Sequence, residues 1–269
     1  MENNTLDVSV ILPVSSTKHK DFETLYFRAI TSIINQSVQP SELVVVHSGE
    51  ELLKTFVENF DYSGITTNIV HNQGNFDFAS QVNMGVKSAK SKYISILEFD
   101  DEYSSIWFKN VKTYIDAYPK VDGFLPLVVD VDDKGTFVGF TNEATFAASM
   151  NTEIGYLTND LLLSYQNFQT SGMVLKKETV DEYGGFKSSF KLTFVYEFLL
   201  RLTYYSASIM TIPRIGYKHV NLREGSIFWS YKFGEDKITN DEVSFWIDSA
   251  KKEHFFTEDR EINYQPENV

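Results

Sequence analysis

Apolar runs and helical spacings alternate along residues 1–110. Residues 8–14 (VSVILPV) form a short apolar run ending at Pro13 and Val14, the pattern of a buried strand. Phe22, Leu25, Tyr26, Ala29, Ile30, Ile33 and Ile34 then recur at the i, i+3, i+4, i+7, i+8 spacing of one helix face, with Asp21 placed to cap it. Residues 43–47 (LVVVH) predict a strand, 50–60 a helix and 65–70 another strand. Asn75 is placed to cap a helix running to about Lys90. A strand over 93–99 follows, then a helix from Ser104 or Ser105 to Tyr118, stopped by Pro119. This alternation predicts an α/β fold, a mostly parallel sheet covered by helices.

Past residue 120 the pattern is coarser. Residues 124–131 and 136–140 flank Asp132-Asp133-Lys134-Gly135, which predicts a hairpin turn and not a second acidic site. Thr170-Ser171-Gly172 precedes a strand, and Gly184-Gly185-Phe186 follows a short helix and calls for positive φ. Residues 240–256 read as an amphipathic helix expected to pack on the rest of the chain, with an oligomer contact through Trp246 and Phe255 also open.

The chemistry concentrates at 93–103, YISILEFDDEY. Its apolar run ends abruptly in Glu98, Asp100, Asp101 and Glu102. Four carboxylates at a strand's carboxyl end repel one another unless a cation sits there. Hard divalent cations take oxygen ligands and are shared between carboxylates and substrate phosphates. Open α/β sheets bind ligands at this end of their strands.

The order of motifs resembles the family 2 glycosyltransferases, which have the GT-A fold. The pieces are VSVILPV, AITSIINQSVQPSELVVV, NQGNFDFASQVNMGVKSAKSKYISILEFDDEY and TSGMVLKKETVDEYGGF, and the resemblance covers roughly residues 7–225. It implies a catalytic domain over 1–225 and a carboxyl-terminal extension over 226–269. It implies transfer of a sugar from a nucleotide-diphosphate donor to a glycan or other hydroxyl acceptor, with inversion and with manganese or magnesium. The family's Asp-x-Asp motif appears as Glu98-Phe99-Asp100, followed by Asp101. By this resemblance Asp100 ligates the metal, and Glu98 faces the donor ribose or the metal's water shell. A late His completes such a site, and His219 is the candidate; the alternative is a surface His near a strand end. Arg223 would clamp the diphosphate, or is a solvated loop charge. Pro13, Val14, Ser48 and Asn83 fall at donor-side positions.

Two positions depart from the family pattern. After the second strand the family carries an Asp-Asp-Gly-Ser turn that contacts the nucleobase. This chain has His47-Ser48-Gly49-Glu50, so base recognition is expected to differ from uridine or to be relaxed. The family's general base comes from a Glu-Asp pair shortly before a Leu-Arg. Counting back from Arg201, that pair falls on Phe194-Val195, which cannot accept a proton. Glu197 is the substitute candidate and Asp77 the next. Glu197 and Arg201 are also spaced i, i+4, as in a surface pair worth about 0.3–0.5 kcal/mol. A catalytically degenerate protein that binds nucleotide or glycan is the alternative reading. A nucleotidyltransferase is disfavoured, since PVSSTKHKD has no glycine for a phosphate loop.

Composition narrows this further. The chain has 269 residues, 42% hydrophobic and 15% aromatic, enough for a packed core. Without cysteine there is neither a disulfide nor a thiolate metal site. A net charge of −13 argues against nucleic-acid binding. The amino terminus lacks a basic region and a long apolar run, and no stretch reaches the ~20 apolar residues of a spanning helix, so a cytoplasmic protein without a transmembrane segment is expected.

Overall fold

The computed structural model describes residues 5–16, 21–73, 77–143, 155–221 and 223–266. Four strands pair in parallel in the order β3 (Thr67–His71), β2 (Gln39–His47), β1 (Thr5–Val14), β4 (Tyr93–Ile96). Past β4 the sheet turns mixed. Antiparallel β9 (Val174–Lys176) stands between β4 and β6 (Gly123–Val131), and β6 pairs in parallel with β10 (Ile209–Val220). The short β5 (Glu102–Tyr103) and β8 (Gly155–Leu157) lie antiparallel on β10, and β7 (Phe137–Thr141) lies antiparallel on β6.

Alternation along the strands explains the layers. Val8, Val10, Leu12 and Val14 of β1 face one core with α1 (Phe22–Ile34), α2 (Glu51–Asn59) and α4 (Trp107–Ala117). Ile11 faces the other, with α3 (Phe78–Ser88), α5 (Asn159–Ser164), α6 (Lys177–Tyr183), α7 (Phe194–Tyr204) and α9 (Asn240–Glu253). A further helix, α8 (Ile227–Phe233), buries none of its residues. Trp246 of α9 is buried within its own chain against Phe190, whereas Phe255 is exposed. Among the described residues no helix is long and apolar enough to cross a membrane.

Local signals explain the element ends. The turn expected between β6 and β7 is present: Asp132 accepts from the amides of Lys134 and Thr136, and Gly135 sits at φ 81°. Asp21 stands before α1 but makes no side-chain cap, its carbonyl instead accepting from Leu25. Asn75 lies outside the described residues. Asp77 caps α3, accepting from the Ser80 amide at 2.8 Å and its hydroxyl at 2.7 Å. Strand β4 stops at Ile96, short of the expected Phe99, because the chain turns: the Asp101 amide donates to the Glu98 carbonyl.

The pair of Glu197 and Arg201 forms, but inside the protein and not on its surface. Both side chains are fully buried, joined by two hydrogen bonds of 2.9 Å. The buried Lys187 adds a second cation 2.9 Å from Glu197. Arg201 also donates to the carbonyls of Tyr183, Gly184 and Gly185, and Lys187 to that of Glu253. Gly184 holds φ 84°, and a Cβ there would meet the Thr257 carbonyl oxygen at 2.7 Å. The network therefore locks α6, α7 and the end of α9 together. Removing one partner of a buried ion pair costs about 3–5 kcal/mol, since it leaves an uncompensated charge. Glu197→Gln is accordingly expected to lower stability by about 3 kcal/mol in chemical denaturation. A loss of a few tenths, the surface-pair value, would contradict the network.

Candidate functional site

The acidic turn after β4 is fixed from several sides. Phe99 turns into the core and packs on Phe22, which leaves Glu98 and Asp100 facing a cleft. The Glu98 amide donates to the hydroxyl of buried Tyr217 at 3.0 Å, and Ser171 donates to the Glu98 carboxylate at 2.7 Å. Antiparallel pairing of β5 with β10 sets Tyr103 opposite Tyr217 and Glu102 opposite Lys218. Residues 217 and 219 share a strand face. The same strand that anchors Glu98 through Tyr217 thus presents His219 to Asp101.

His219 Nδ1 lies 2.9 Å from one Asp101 oxygen, and the other oxygen accepts from the Val220 amide at 2.8 Å. Asp100 instead accepts from Arg223 Nε at 2.6 Å, and the guanidinium lies over the Phe99 ring. Burial and the neighbouring Asp101 push the Glu98 carboxyl up to about 7. Burial and Asp101 also raise Asp100, against the opposing pull of Arg223. Burial works against a charged His219, but Asp101, Glu98 and Asp130 outweigh it and raise the imidazole to about 10. Ligand atoms of Glu98, Asp101 and His219 lie within 4.8 Å of one another. Carboxylate oxygens with one imidazole form a donor set that suits manganese, so these residues fit a divalent cation.

This turn heads a cavity of about 430 Å³ that opens at the carboxyl ends of β1 and β4. The size falls within the roughly 300–1,000 Å³ of small-molecule sites. Pro13, Ser15, Ser171, His219 and Arg223 line it, and so do the apolar Phe78, Phe168, Phe194, Val195 and Phe228.

The remaining sequence candidates lie elsewhere. Val14 is buried in the core. Ser48 donates to the Ser15 carbonyl at 2.6 Å. Asn83 exchanges two hydrogen bonds with the Phe186 backbone and staples α3 to the glycine turn. Asp77, next to the cleft-lining Phe78, is held by Ser80. Glu197 faces away into its ion pairs. His47 is buried and stacked on His71, centroids 5.2 Å apart; burial and His71 lower its pKa. Glu50 accepts from Ser16 at 3.0 Å, so the turn after β2 does carry a carboxylate, at its fourth position.

Sequence reasoning missed Tyr217, Ser171 and the pairing of Asp101 with His219. The alternation Tyr217-Lys218-His219 carries the signal for Tyr217. The contact of Ser171 depends on a bridge between residues distant in sequence and has no local signal.

The sequence profile described as Glycosyl transferase family 2 matches residues 20–183, more than half of the chain. An uncharacterized glycosyltransferase of Haemophilus influenzae is 24% identical over 134 residues, covering 48% of this chain and 40% of that protein. Crystal structures of S. aureus TarS residues 1–349 superpose on the fold. The complex with UDP-GlcNAc gives a TM-score of 0.65 at 16% identity over 84% of this chain and 61% of that chain. The complex with UDP gives 0.63 at 15% identity over 90% and 78%. The fold is that of the GT-A glycosyltransferases. The chain belongs to glycosyltransferase family 2.

Proposed function

We propose that this family 2 glycosyltransferase binds a nucleotide-diphosphate sugar at the head of the cleft and transfers the sugar, with inversion, to an acceptor hydroxyl. The observation that carries this reading is the convergence of Glu98, Asp100, Asp101, His219 and Arg223 at the carboxyl end of β4. That TarS binds UDP-GlcNAc and UDP supports a nucleotide-sugar donor. The catalytic domain is read as 1–225, with 226–269 an extension that contributes α8 and α9.

Glu98, Asp101 and His219, with Asp100 beside them, are the residues that would hold manganese or magnesium. When bound, such a cation supplies Lewis-acid stabilisation of the charge developing on the leaving diphosphate. Arg223, paired with Asp100, is the guanidinium placed to receive a diphosphate, whose geometry it matches. In the transfer, the acceptor oxygen bonds to the anomeric carbon and the bond from that carbon to the diphosphate oxygen breaks. The hydroxyl proton passes to a base.

The base is the open role. Phe194 and Val195 stand at the positions of the family's Glu-Asp pair and line the cleft with apolar surface. Glu197 is held by Lys187 and Arg201. Asp77 is the carboxylate next to the cleft wall, and we assign it the role. A second reading, a protein that binds donor without turnover, is favoured by one observation: among the described residues, the carboxylates that line the cavity are Glu98 and Asp100, both in the acidic turn.

Calorimetry with a nucleoside diphosphate should show binding strengthened by manganese, and Asp100→Ala or Asp101→Asn should remove that gain. Equal binding with and without metal would overturn the reading. His219 and Glu98 must release protons to ligate. Protons compete more at low pH, so manganese affinity is expected to rise from about pH 6 to about pH 8, roughly tenfold per unit for each proton released. A flat profile would take both side chains out of coordination.

Turnover of a donor sugar should fall by roughly 10²–10⁴ in Asp77→Asn with donor binding kept. Unchanged turnover would move the base elsewhere, and absence of turnover in the wild type with every donor would select the binding-only reading. A thermal-shift screen of UDP, GDP, CDP and TDP sugars is expected to show relaxed or altered base choice. A strong preference for UDP alone would mean that another group, with Glu50 the nearest carboxylate in the turn, has taken over the uridine contact.

A further inference from the structure

Much of the cleft lining is apolar. Phe78, Phe168, Phe194, Val195, Phe228 and Ile247 come from five separate segments and line the same cavity, Phe78 and Phe194 with ring centroids 5.8 Å apart. Two polar side chains of this lining are already engaged: Thr193 donates to the Trp246 carbonyl at 2.8 Å, and the Tyr196 hydroxyl donates to the Leu162 carbonyl at 2.9 Å. Gln81, Gln166, Gln169 and Asn221 also line the cavity and can meet the hydroxyls of a sugar, but the apolar side chains offer a hydroxyl no partner, so polar groups set against them lose their water without return. An alkyl or aryl group would instead bury apolar surface against apolar surface. These side chains share a single cavity with the acidic turn, so an occupant lies beside the donor site. Among the described residues, the basic side chains lining the cavity are His219 and Arg223 at the acidic turn, so an anionic group away from that turn has no cation to meet.

We infer that the acceptor is a neutral amphiphile, its reacting hydroxyl directed to the cleft head and an apolar substituent seated between α7 and α8. This rests on the transferase reading above and names its acceptor class. Phe228 is central to it. The residue is 45% exposed on α8, a helix that buries none of its own residues, so its ring is available to a ligand and is not needed by the core. Val195, in the first turn of α7, lines the same cavity.

The test compares methyl β-glucoside with octyl β-glucoside, kept below its micelle concentration, by calorimetry or ligand-observed NMR. The octyl compound is expected to bind at least about tenfold more tightly, since each buried methylene adds to affinity. Phe228→Ser and Val195→Thr should each reduce that ratio severalfold while leaving manganese-dependent nucleotide binding unchanged. Equal binding of the two glucosides by the wild type would overturn the inference. A preference for the octyl compound that both variants retain would place its site elsewhere and overturn it as well. Loss of nucleotide binding in the wild type would instead strike the transferase reading, and the two failures are separable. Should Val195→Thr not fold, Phe228→Ser decides alone, because an exposed position tolerates it.

Discussion

Glu98, Asp100 and Asp101 converge within one turn, and their mutual repulsion has to be offset before the head of the cleft can form. Burial of these carboxylates and their closeness to one another both penalise their charged forms, as the raised Glu98 and Asp100 show. The protein divides the problem. His219 neutralises Asp101, Arg223 neutralises Asp100, and Glu98 is left with the Ser171 hydroxyl and a raised pKa. Each offset is a group that a ligand can also use. An imidazole can exchange a proton for a cation, and a guanidinium can turn from a carboxylate to a phosphate. Without any ligand, each carboxylate of the turn thus has a partner.

That balance depends on β10 lying next to the acidic turn, although 118 residues separate Asp101 from His219. Close packing makes the approach possible. Gly172 and Gly216 have no side chain because Tyr217 and Trp107 take the space; a Cβ at Gly172 would meet the Tyr217 ring at 2.6 Å, and one at Gly216 the Trp107 ring at 2.3 Å. Trp107 also donates to the Gly172 carbonyl at 2.8 Å. Tyr217 can then reach the Glu98 amide, and the two-residue strand β5 completes the docking. A side chain at either glycine would disturb the acidic turn through these two rings.

Much of the fold was legible because local patterns decide it. The strands and helices up to Ala117, the two-residue β5 apart, follow from periodicity, and the hairpin at Asp132–Gly135 from its turn residues. The acidic turn stood out as a candidate ligand site because so many carboxylates at one strand end need an explanation. What sequence could not supply was pairing at a distance. The order of carboxylates along a turn does not say which one meets the imidazole, and Asp101 meets it while Asp100 meets Arg223. Asn83 shows the same limit: its amide could serve a donor or a backbone, and its 2.7 and 2.8 Å bonds to Phe186 are visible only once α3 and the glycine turn are side by side. The antiparallel β9 was hidden for the same reason, since a three-residue strand carries no sign of its neighbours' direction.

Helix α7 separates structural from catalytic roles by angle alone. Successive residues turn about 100° around a helix axis, so residues two apart lie on nearly opposite faces and residues four apart on the same one. Glu197 and Arg201 therefore share the inward face, where Lys187 and the carbonyls of the glycine turn hold them. Val195 takes the outward face and looks into the cleft. For Glu197 to reach an acceptor, the helix would have to rotate by roughly half a turn, pulling a buried charge from two cations at a cost of several kcal/mol. Phe194, three residues before Glu197, lies toward the inward face and packs on Phe186, so of the two apolar cleft residues Val195 is the one that stands opposite the ion pairs. The inward face of α7 thus fixes where Val195 stands in the cleft lining.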